Sequence, residues 1–435
     1  MLVKGNILHS EPVVSIGLVL PNDKQTELVL SVSSPQSFKF LIDSAEAKIT
    51  EKDLTIRVTN NELDIRGNHV AKLCVTSLST KKNDYIQLGP IRAGRGFHWE
   101  KNINIKILGD LKIKVIDGNL FVVNQIKLED YIMCVATSEM SSNCPTTLLE
   151  TQTITARSWI LAAEEQKHKD LDLDACNDDC CQRYQGINNL KASAKEASES
   201  TRGQVLIFYH DICDARYSKS CGGITENNEN IWSGDAKPYL RSIQDSEGVP
   251  PAMLHNAIGR KSWFLSKPNC YCGPKYVPEN ELNNYLGNVD ERGNYFRWSV
   301  TISQEEILKS INQKTENEFQ YIHSLIPLKR GNSGRVISLK IDAILNNENH
   351  SITLESEYKI RYVLHPQFLF SSAFLIQTDF EDGPHPSHFH LKGAGWGHGV
   401  GLCQIGALGM ALAGKSTNEI LTHYFQSTGL RKLYD

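Results

Sequence analysis

At 435 residues, with 40% hydrophobic and 22% charged residues, the chain is long enough for two or three domains and has the composition of a soluble globular protein. Its formal net charge of −4 argues against a binder that works by neutralising nucleic-acid phosphates. No stretch reaches the roughly 18 apolar residues that a membrane helix needs, and Met1-Leu2-Val3-Lys4-Gly5 leads into no sustained apolar export segment.

From residue 10 to 125 the pattern is that of strands. Apolar runs recur at Val13–Leu20, Leu28–Val32, Phe38–Ile42, Leu54–Val58, Leu111–Val115 and Leu120–Val123, separated by Pro-Asn, Asn-Asn, Gly-Asn and Asp-Gly turn chemistry. Asp117-Gly118 between two of these runs predicts a hairpin. Leu128, Tyr131, Ile132, Val135 and Glu139 then fall on one face of a helix, which Asn143-Cys144-Pro145 is expected to end. Thr147 with Glu150 resembles a capping box opening a second helix that runs to about Gln166. A polar, cysteine-bearing loop follows over 168–187, then a short helix over Leu190–Ser200. Residues 245–294 are rich in Pro, Asn and Gly and read as an insertion or lobe boundary. Beyond them Glu305–Asn312 reads as a helix, and Val336–Ile341 and Ser351–Leu354 read as strands. The chain closes on a glycine-rich segment and two short helices, the first stopped by Gly414 and the second capped by Ser416 with Glu419. The fold class is therefore mixed α+β. A β-rich region (1–100) precedes an α/β region (101–435) with a long helix pair, a cysteine-bearing loop and a glycine-rich C-terminal segment.

Glu139 is the most informative position. A carboxylate on the apolar stripe of a helix is desolvated, which favours the neutral acid that glycosidase-type chemistry requires. The competing reading is that the helix end lets Glu139 reach water, or that a cation such as Arg157 pairs with it. The segment from Gly393 to Gly406 has glycine at nearly every second position, with Trp396 and His398 as its large projecting groups. Either this backbone approaches a ligand closely, with Trp396 stacking on a sugar face, or it is a tightly packed strand with a core histidine. It is not a dinucleotide fingerprint, because the G-x-G-x-x-G spacing and the βαβ length are both missing.

Eleven cysteines are an odd count for a disulfide framework, and their close grouping suits metal ligation better. Cys176, Cys180 and Cys181, with His168 upstream, form a Cys3His set fit for zinc; the alternative is a group of free surface thiols. Cys270 and Cys272, with Cys221 or Cys213, are conceivable as a second small metal site or as disulfides. Tyr217 to Gly223 carries hydroxyls and Lys219 before a Gly-Gly turn, but the other elements of a Ser-x-x-Lys acylase are missing.

Several segments together resemble the SpoIID/LytB family, named for stage II sporulation protein D and an amidase enhancer. They begin with Leu128-Glu129-Asp130-Tyr131, Ser138-Glu139-Met140, Ala156-Arg157-Ser158-Trp159 and Cys180-Cys181-Gln182-Arg183-Tyr184-Gln185-Gly186. They continue through Thr201-Arg202-Gly203, Ser220-Cys221-Gly222-Gly223, Pro238-Tyr239-Leu240, Ser333-Gly334-Arg335 and Gly397-His398-Gly399-Val400-Gly401. The first ~100 residues fall outside this common core, while Phe97-His98-Trp99-Glu100 and the Cys-Tyr-Cys at 270–272 look like features of longer members.

The resemblance implies a lytic transglycosylase that cuts peptidoglycan glycan between N-acetylmuramic acid and N-acetylglucosamine, leaving a 1,6-anhydro end. Its essential acid, the glutamate of Ser-Glu-Met, is Glu139 here. It also implies a structural zinc held by His168, Cys176, Cys180 and Cys181; Cys180 departs from the family pattern, standing where histidine is usual. Cys403 likewise stands where serine is usual. Arg157, Lys219, Ser220, Trp396 and Gln404 are expected to hold the glycan or tune the acid, with His398 orienting its neighbours. The implied partners are peptide-stripped glycan strands and an N-acetylmuramoyl-L-alanine amidase, at a wall-facing or periplasmic location. The alternative is a non-catalytic amidase enhancer that grips glycan without cutting it.

Overall fold

The computed structural model describes every residue except 1, 3, 4, 79–83, 98, 249–251, 287–292 and 382. Residues 1, 3 and 4 of the opening segment, His98 of the Phe-His-Trp-Glu motif and parts of the 245–295 boundary lie outside the described residues. The chain forms two compact units. Unit 1 comprises Met1–Asp214 with Tyr285–Val289 and Leu430–Asp435, and unit 2 comprises Ala215–Asn284 and Asp290–Gly429.

Unit 1 is the β-rich part of a mixed α+β protein. One sheet runs in the order Ala175–Cys176, Val13–Val19, Asn119–Lys127, Asp110–Ile116, Lys72–Ser77, Phe38–Ile42 and Ala45–Ala47. A second runs Lys101–Ile107, Ile86–Ala93, Glu27–Val32, Asp53–Thr59, Glu62–Ile65 and Asn68–Val70. Val14, Ile16, Leu28, Leu30, Ile56, Leu88, Ile113 and Val122 from these strands are buried in one core. They fall at every second position of their strands, as half-buried sheets require. The Asp117-Gly118 turn forms as the sequence predicts. Ile116 pairs with Asn119, and the two turn residues take φ of 48° and 73°, the left-handed pair of a tight hairpin.

Three helices lie on this core: α1 (Leu128–Glu139), α2 (Thr146–Ala162) and α3 (Ala192–Ser200), each packed against the other two. α1 stops at Glu139, four residues before Asn143, because Met140 and Ser141 turn into extended contacts with Leu286 and Tyr285. The capping box expected at Thr147 and Glu150 does not form. Pro145 takes the N-cap position and its carbonyl accepts the N–H groups of Leu148 and Leu149, while Glu150 bonds the Ser200 hydroxyl instead. The far end of α2 is also earlier than Gln166, since the Gly5 N–H takes the carbonyl of Leu161.

A buried ion pair ties these helices together. Arg157 of α2 is fully buried and forks onto Glu129 of α1, with Nε–Oε1 at 2.9 Å and Nη2–Oε2 at 2.6 Å. Its remaining amino group bonds the Gln204 carbonyl, and Glu129 also accepts from the Tyr434 hydroxyl and the Gly203 N–H. Burial works against the Glu129 charge, but Arg157, Tyr434 and Gly203 together hold its carboxyl below the ordinary range.

Unit 2 carries two three-stranded sheets, Arg297–Ser303 with His388–Ala394 and Phe374–Asp379, and Tyr321–Arg330 with Val336–Leu345 and Glu348–Glu355. Its helices are α4 (Ala257–Leu265), α5 (Gln304–Thr315), α6 (Glu357–Leu364), α7 (Gln404–Leu412) and α8 (Thr417–Tyr424). Trp298, Ile307, Ile311, Leu339, Ile360 and Phe389 centre its core. Ser416 and Glu419 form the expected capping box, and Gly414, at φ 83°, follows the end of α7. Inside the Pro/Asn/Gly-rich stretch, α4 is an element the pattern did not reveal; Asn256 caps it by accepting from Gly259 at 2.7 Å.

Since removing one partner of a buried pair strands the other charge, Arg157→Met is expected to destabilise the protein by about 3–5 kcal/mol in urea unfolding. The Glu129 carboxyl is lowered on folding. Its stabilisation is therefore complete above its ordinary value near 4.5 and is lost as pH falls through that value and below. Glu129→Gln should flatten this acid limb, and an unaltered acid-unfolding profile would remove the pair from the account.

Candidate functional site

Two consecutive residues at the end of α1 hold the chain that follows the cysteine loop. The Ser138 hydroxyl donates to the Cys134 carbonyl and accepts the Gln185 N–H at 3.0 Å. Glu139, 7% exposed, accepts the Arg183 N–H on Oε1 at 3.0 Å. The strap from Gln182 to Gly186 is bonded along its length. Tyr131 donates to Gln182, Gln182 donates to the Ala156 carbonyl, and the Tyr184 hydroxyl donates to Asn124.

Glu139 is thus buried, as its place on the helical stripe predicts, but its surroundings are polar rather than hydrocarbon. The Arg183 guanidinium grips Asp179 through Nε and Nη2 and lies 4.5 Å from the ring centre of Trp99. Asp179 is pushed up to about 7, first by burial and then by the charges of Asp178 and Glu139, against the pull of Arg183. Arg157 does not pair with Glu139. It is buried on Glu129, at odds with the glycan-holding role expected of it, because α2 turns its guanidinium toward α1 and the carbonyl of Gln204.

The cysteine loop brings together the four residues expected to ligate a metal. One donor atom from each of His168, Cys176, Cys180 and Cys181 lies within 4.8 Å of the others. The Cys176 and Cys180 sulfurs are 3.1 Å apart, and His168 Nε2 is 3.7 Å from the Cys180 sulfur. Residues 175–176 form a parallel strand beside Ile16 and Gly17, which fixes Cys176 to the main sheet of unit 1. Asp178 folds inward to accept the N–H groups of Gly94 and Arg95, and the Arg95 side chain bridges Asp178 and Asp23. Cys180 is held low by bonds from Cys176 and Cys181, whereas Cys176 is raised by its sulfur neighbours and by burial. A set that shares thiol protons in this way is one that a dication can organise. The Asp23–Arg95–Asp178 chain and the Asp179–Arg183 pair were not singled out from sequence. Only the position of Arg183 inside the Cys-Gln-Arg-Tyr-Gln-Gly motif pointed to it.

The remaining expected residues belong to unit 2, where the chain pairs across a long gap. Tyr217–Ser218 runs parallel to Leu402–Cys403, Ser220 and Trp396 exchange backbone hydrogen bonds, and the Ile405 N–H donates to the Lys219 carbonyl. Lys219, Ser220, Trp396 and Gln404 are thereby gathered on adjoining segments. The glycines between them serve this packing. Gly395, Gly397, Gly399 and Gly401 all have positive φ, and a β-carbon on Gly395 or Gly401 would strike the Ser220 or Arg216 carbonyl. Trp396, half-buried, stacks on Phe370 at 4.2 Å. His398 accepts the Val400 N–H on Nδ1 and sits edge-on to Trp232. Burial, then the charges of Arg216, Arg335 and Arg361, push its ring well below 6.5.

Residues 117–208, which hold α1, α2, Glu139 and the whole cysteine loop, match the family model of stage II sporulation proteins, SpoIID. That stretch carries the chain's likeness to the SpoIID family. Residues 226–401 match a domain of unknown function, DUF8618. An uncharacterized protein of Brachyspira hyodysenteriae is 28% identical to this chain, over 75% of it and 72% of the relative. The amidase enhancer of Bacillus subtilis is 25% identical over 68% of the chain, a match that spans 39% of the enhancer. Stage II sporulation protein D of the same organism is 24% identical, over 70% of the chain and 75% of the relative. Among the described residues, no helix is long and apolar enough to cross a membrane.

His398 should keep its neutral-ring NMR shifts as pH falls through 6.5, where an ordinary histidine titrates. A midpoint at or above that value would refute the electrostatic account of the glycine-rich segment.

Proposed function

We propose that this protein is a peptidoglycan lytic transglycosylase that cuts the bond between N-acetylmuramic acid and N-acetylglucosamine in peptide-stripped glycan, with Glu139 as acid and base. The observation that carries the reading is the position of Glu139. It is the last residue of a buried helix, fixed through its own carboxylate to the Arg183 backbone, and it lies inside the SpoIID-matched stretch. A catalytic carboxyl must be held still before it can protonate a bond that is not yet broken. Glu139 would donate a proton to the bridging oxygen as an oxocarbenium-like state develops. The resulting carboxylate would take the proton of the muramic acid C6 hydroxyl as that oxygen attacks C1. A single carboxyl group serves both transfers, and the product closes on itself as a 1,6-anhydro sugar. Asp179 and Arg183 lie at the edge of this site as groups that set its charge. Lys219, Ser220, Trp396, His398 and Gln404 remain candidates for holding the glycan.

We assign zinc to His168, Cys176, Cys180 and Cys181. Soft sulfur with one imidazole is a zinc donor set, and four protein ligands leave no place for a reactive water, so the ion would be structural. It would stiffen the loop whose next residues bond Ser138 and Glu139. A wall-facing location and an amidase partner follow from the proposed substrate.

A second reading, glycan binding without cleavage, is favoured by the relative named amidase enhancer. Purified protein incubated with peptide-free glycan should release fragments with 1,6-anhydro ends, detected by mass spectrometry. Glu139→Gln should reduce that release by at least about a hundredfold while leaving the fold intact by circular dichroism. Wild-type protein that binds glycan but makes no anhydro product would establish the binding reading instead. Replacing Cys176 and Cys181 by serine should lower both bound zinc and activity; full activity in a zinc-free double variant would dissociate the ion from the site.

A further inference from the structure

Unit 2 holds a second group of metal-donor side chains, remote in sequence from the loop at 168–181. Cys221, Asp245, Cys272 and Cys403 are all buried, and one donor atom of each lies within 4.8 Å of the others. They come from four separate segments: the turn after Tyr217–Ser218, the chain at 245, the Cys-Tyr-Cys loop and the N-cap of α7.

Two of the donor spacings match the edges of a tetrahedron around an ion. The Cys221 and Cys272 sulfurs are 3.7 Å apart, and the Cys221 sulfur is 3.5 Å from Asp245 Oδ2. Zinc with bonds of about 2.3 Å to sulfur and about 2.0 Å to oxygen gives tetrahedral edges of about 3.8 Å and about 3.5 Å. A disulfide could join only two of the three sulfurs, and would leave the third buried beside a carboxylate.

Backbone N–H groups already point at three of these donors. Cys403 accepts the N–H groups of Cys221 at 3.1 Å and Gly406 at 3.3 Å, Cys221 accepts that of Gly223 at 3.3 Å, and Asp245 Oδ2 accepts that of Cys272 at 3.1 Å. Tyr424 donates to Asp245 Oδ1 at 2.6 Å, which orients the carboxylate so that its other oxygen faces the cysteines. Two buried or half-buried cations stand close by: Arg297 bonds the Gly222 carbonyl, and the Arg335 guanidinium approaches the carbonyl of Cys221.

We propose that Cys221, Asp245, Cys272 and Cys403 form a second, structural metal site in this protein, with zinc as the ion that fits it. Its four protein donors close the coordination sphere. The ion would cross-link the segments that carry Lys219, Ser220 and Gln404, independently of the loop at 168–181. Burial resists the charge on Cys403, but hydrogen bonds from Cys221 and Cys272 bring it down to about 5, while burial pushes Cys221 and Cys272 up. Those two thiols would release their protons to solvent as the dication enters.

The test is metal content of the full chain, purified without chelators from zinc-supplemented cells and measured by inductively coupled plasma mass spectrometry. Cys272→Ser and Cys403→Ser should each lose about one equivalent of zinc relative to wild type, as expected for one closed four-ligand site. Should either variant fail to fold, the chain carrying Cys176→Ser and Cys181→Ser isolates the second site. Loaded with Co2+, it should show thiolate-to-cobalt charge-transfer absorption and gain one cobalt in native mass spectrometry. Folded Cys272→Ser and Cys403→Ser proteins with wild-type zinc content would overturn the proposal. So would a Cys221–Cys272 disulfide in non-reducing peptide maps, or a Cys176/Cys181 variant that takes up no cobalt.

Discussion

The candidate site of unit 1 depends on two hydrogen bonds made by neighbouring side chains, Ser138 to the Gln185 N–H and Glu139 to the Arg183 N–H. Both acceptors sit in the last turn of α1, where side chains of consecutive residues diverge and can meet alternate N–H groups of an extended strand. These bonds satisfy two backbone N–H groups of the strap at buried residues, Arg183 and Gln185. The same contact that immobilises Glu139 therefore also anchors the cysteine loop just before it.

The cysteine loop is built for rigidity in its own right. Asp178 spends its carboxylate on two N–H groups and on Arg95, which in turn reaches Asp23. Charged groups this deeply placed are tolerated because each has a partner of opposite sign or a donor. On the other side of the strap, Arg183 is clamped between Asp179 and the face of Trp99. The Arg183 guanidinium thus ties Asp179 of the loop to the indole of Trp99, while the backbone N–H of the same residue donates to the Glu139 carboxylate.

In unit 2 the controlling constraint is close approach of backbone. A run of positive-φ glycines lets residues 395–401 lie against Arg216, Ser220, Cys221 and Arg335, where a β-carbon on Gly395, Gly399 or Gly401 would collide. The glycine contacts describe close packing of backbone against backbone at Gly395 and Gly401 of this segment. That packing carries Cys403 to Cys221, so the glycine-rich segment and the second cysteine cluster are parts of one arrangement.

The sequence by itself determined the local chemistry: the alternating strands, the Asp117-Gly118 hairpin, the Ser416–Glu419 cap, the buried stripe ending in Glu139 and the grouping of His168 with three cysteines. Each of these is legible because its cause lies within a few residues, in turn geometry, side-chain period or ligand spacing. Tertiary structure alone decided where α1 and α2 stop, since Tyr285, Leu286 and Gly5 engage the backbone at their ends. It also decided that Arg157 answers Glu129 rather than Glu139, and that Asp245 and Cys403 join Cys221 and Cys272. Those outcomes depend on which distant segments share the same few ångströms of low-dielectric interior, where every buried charge and N–H must find a partner, and no spacing along the chain encodes that.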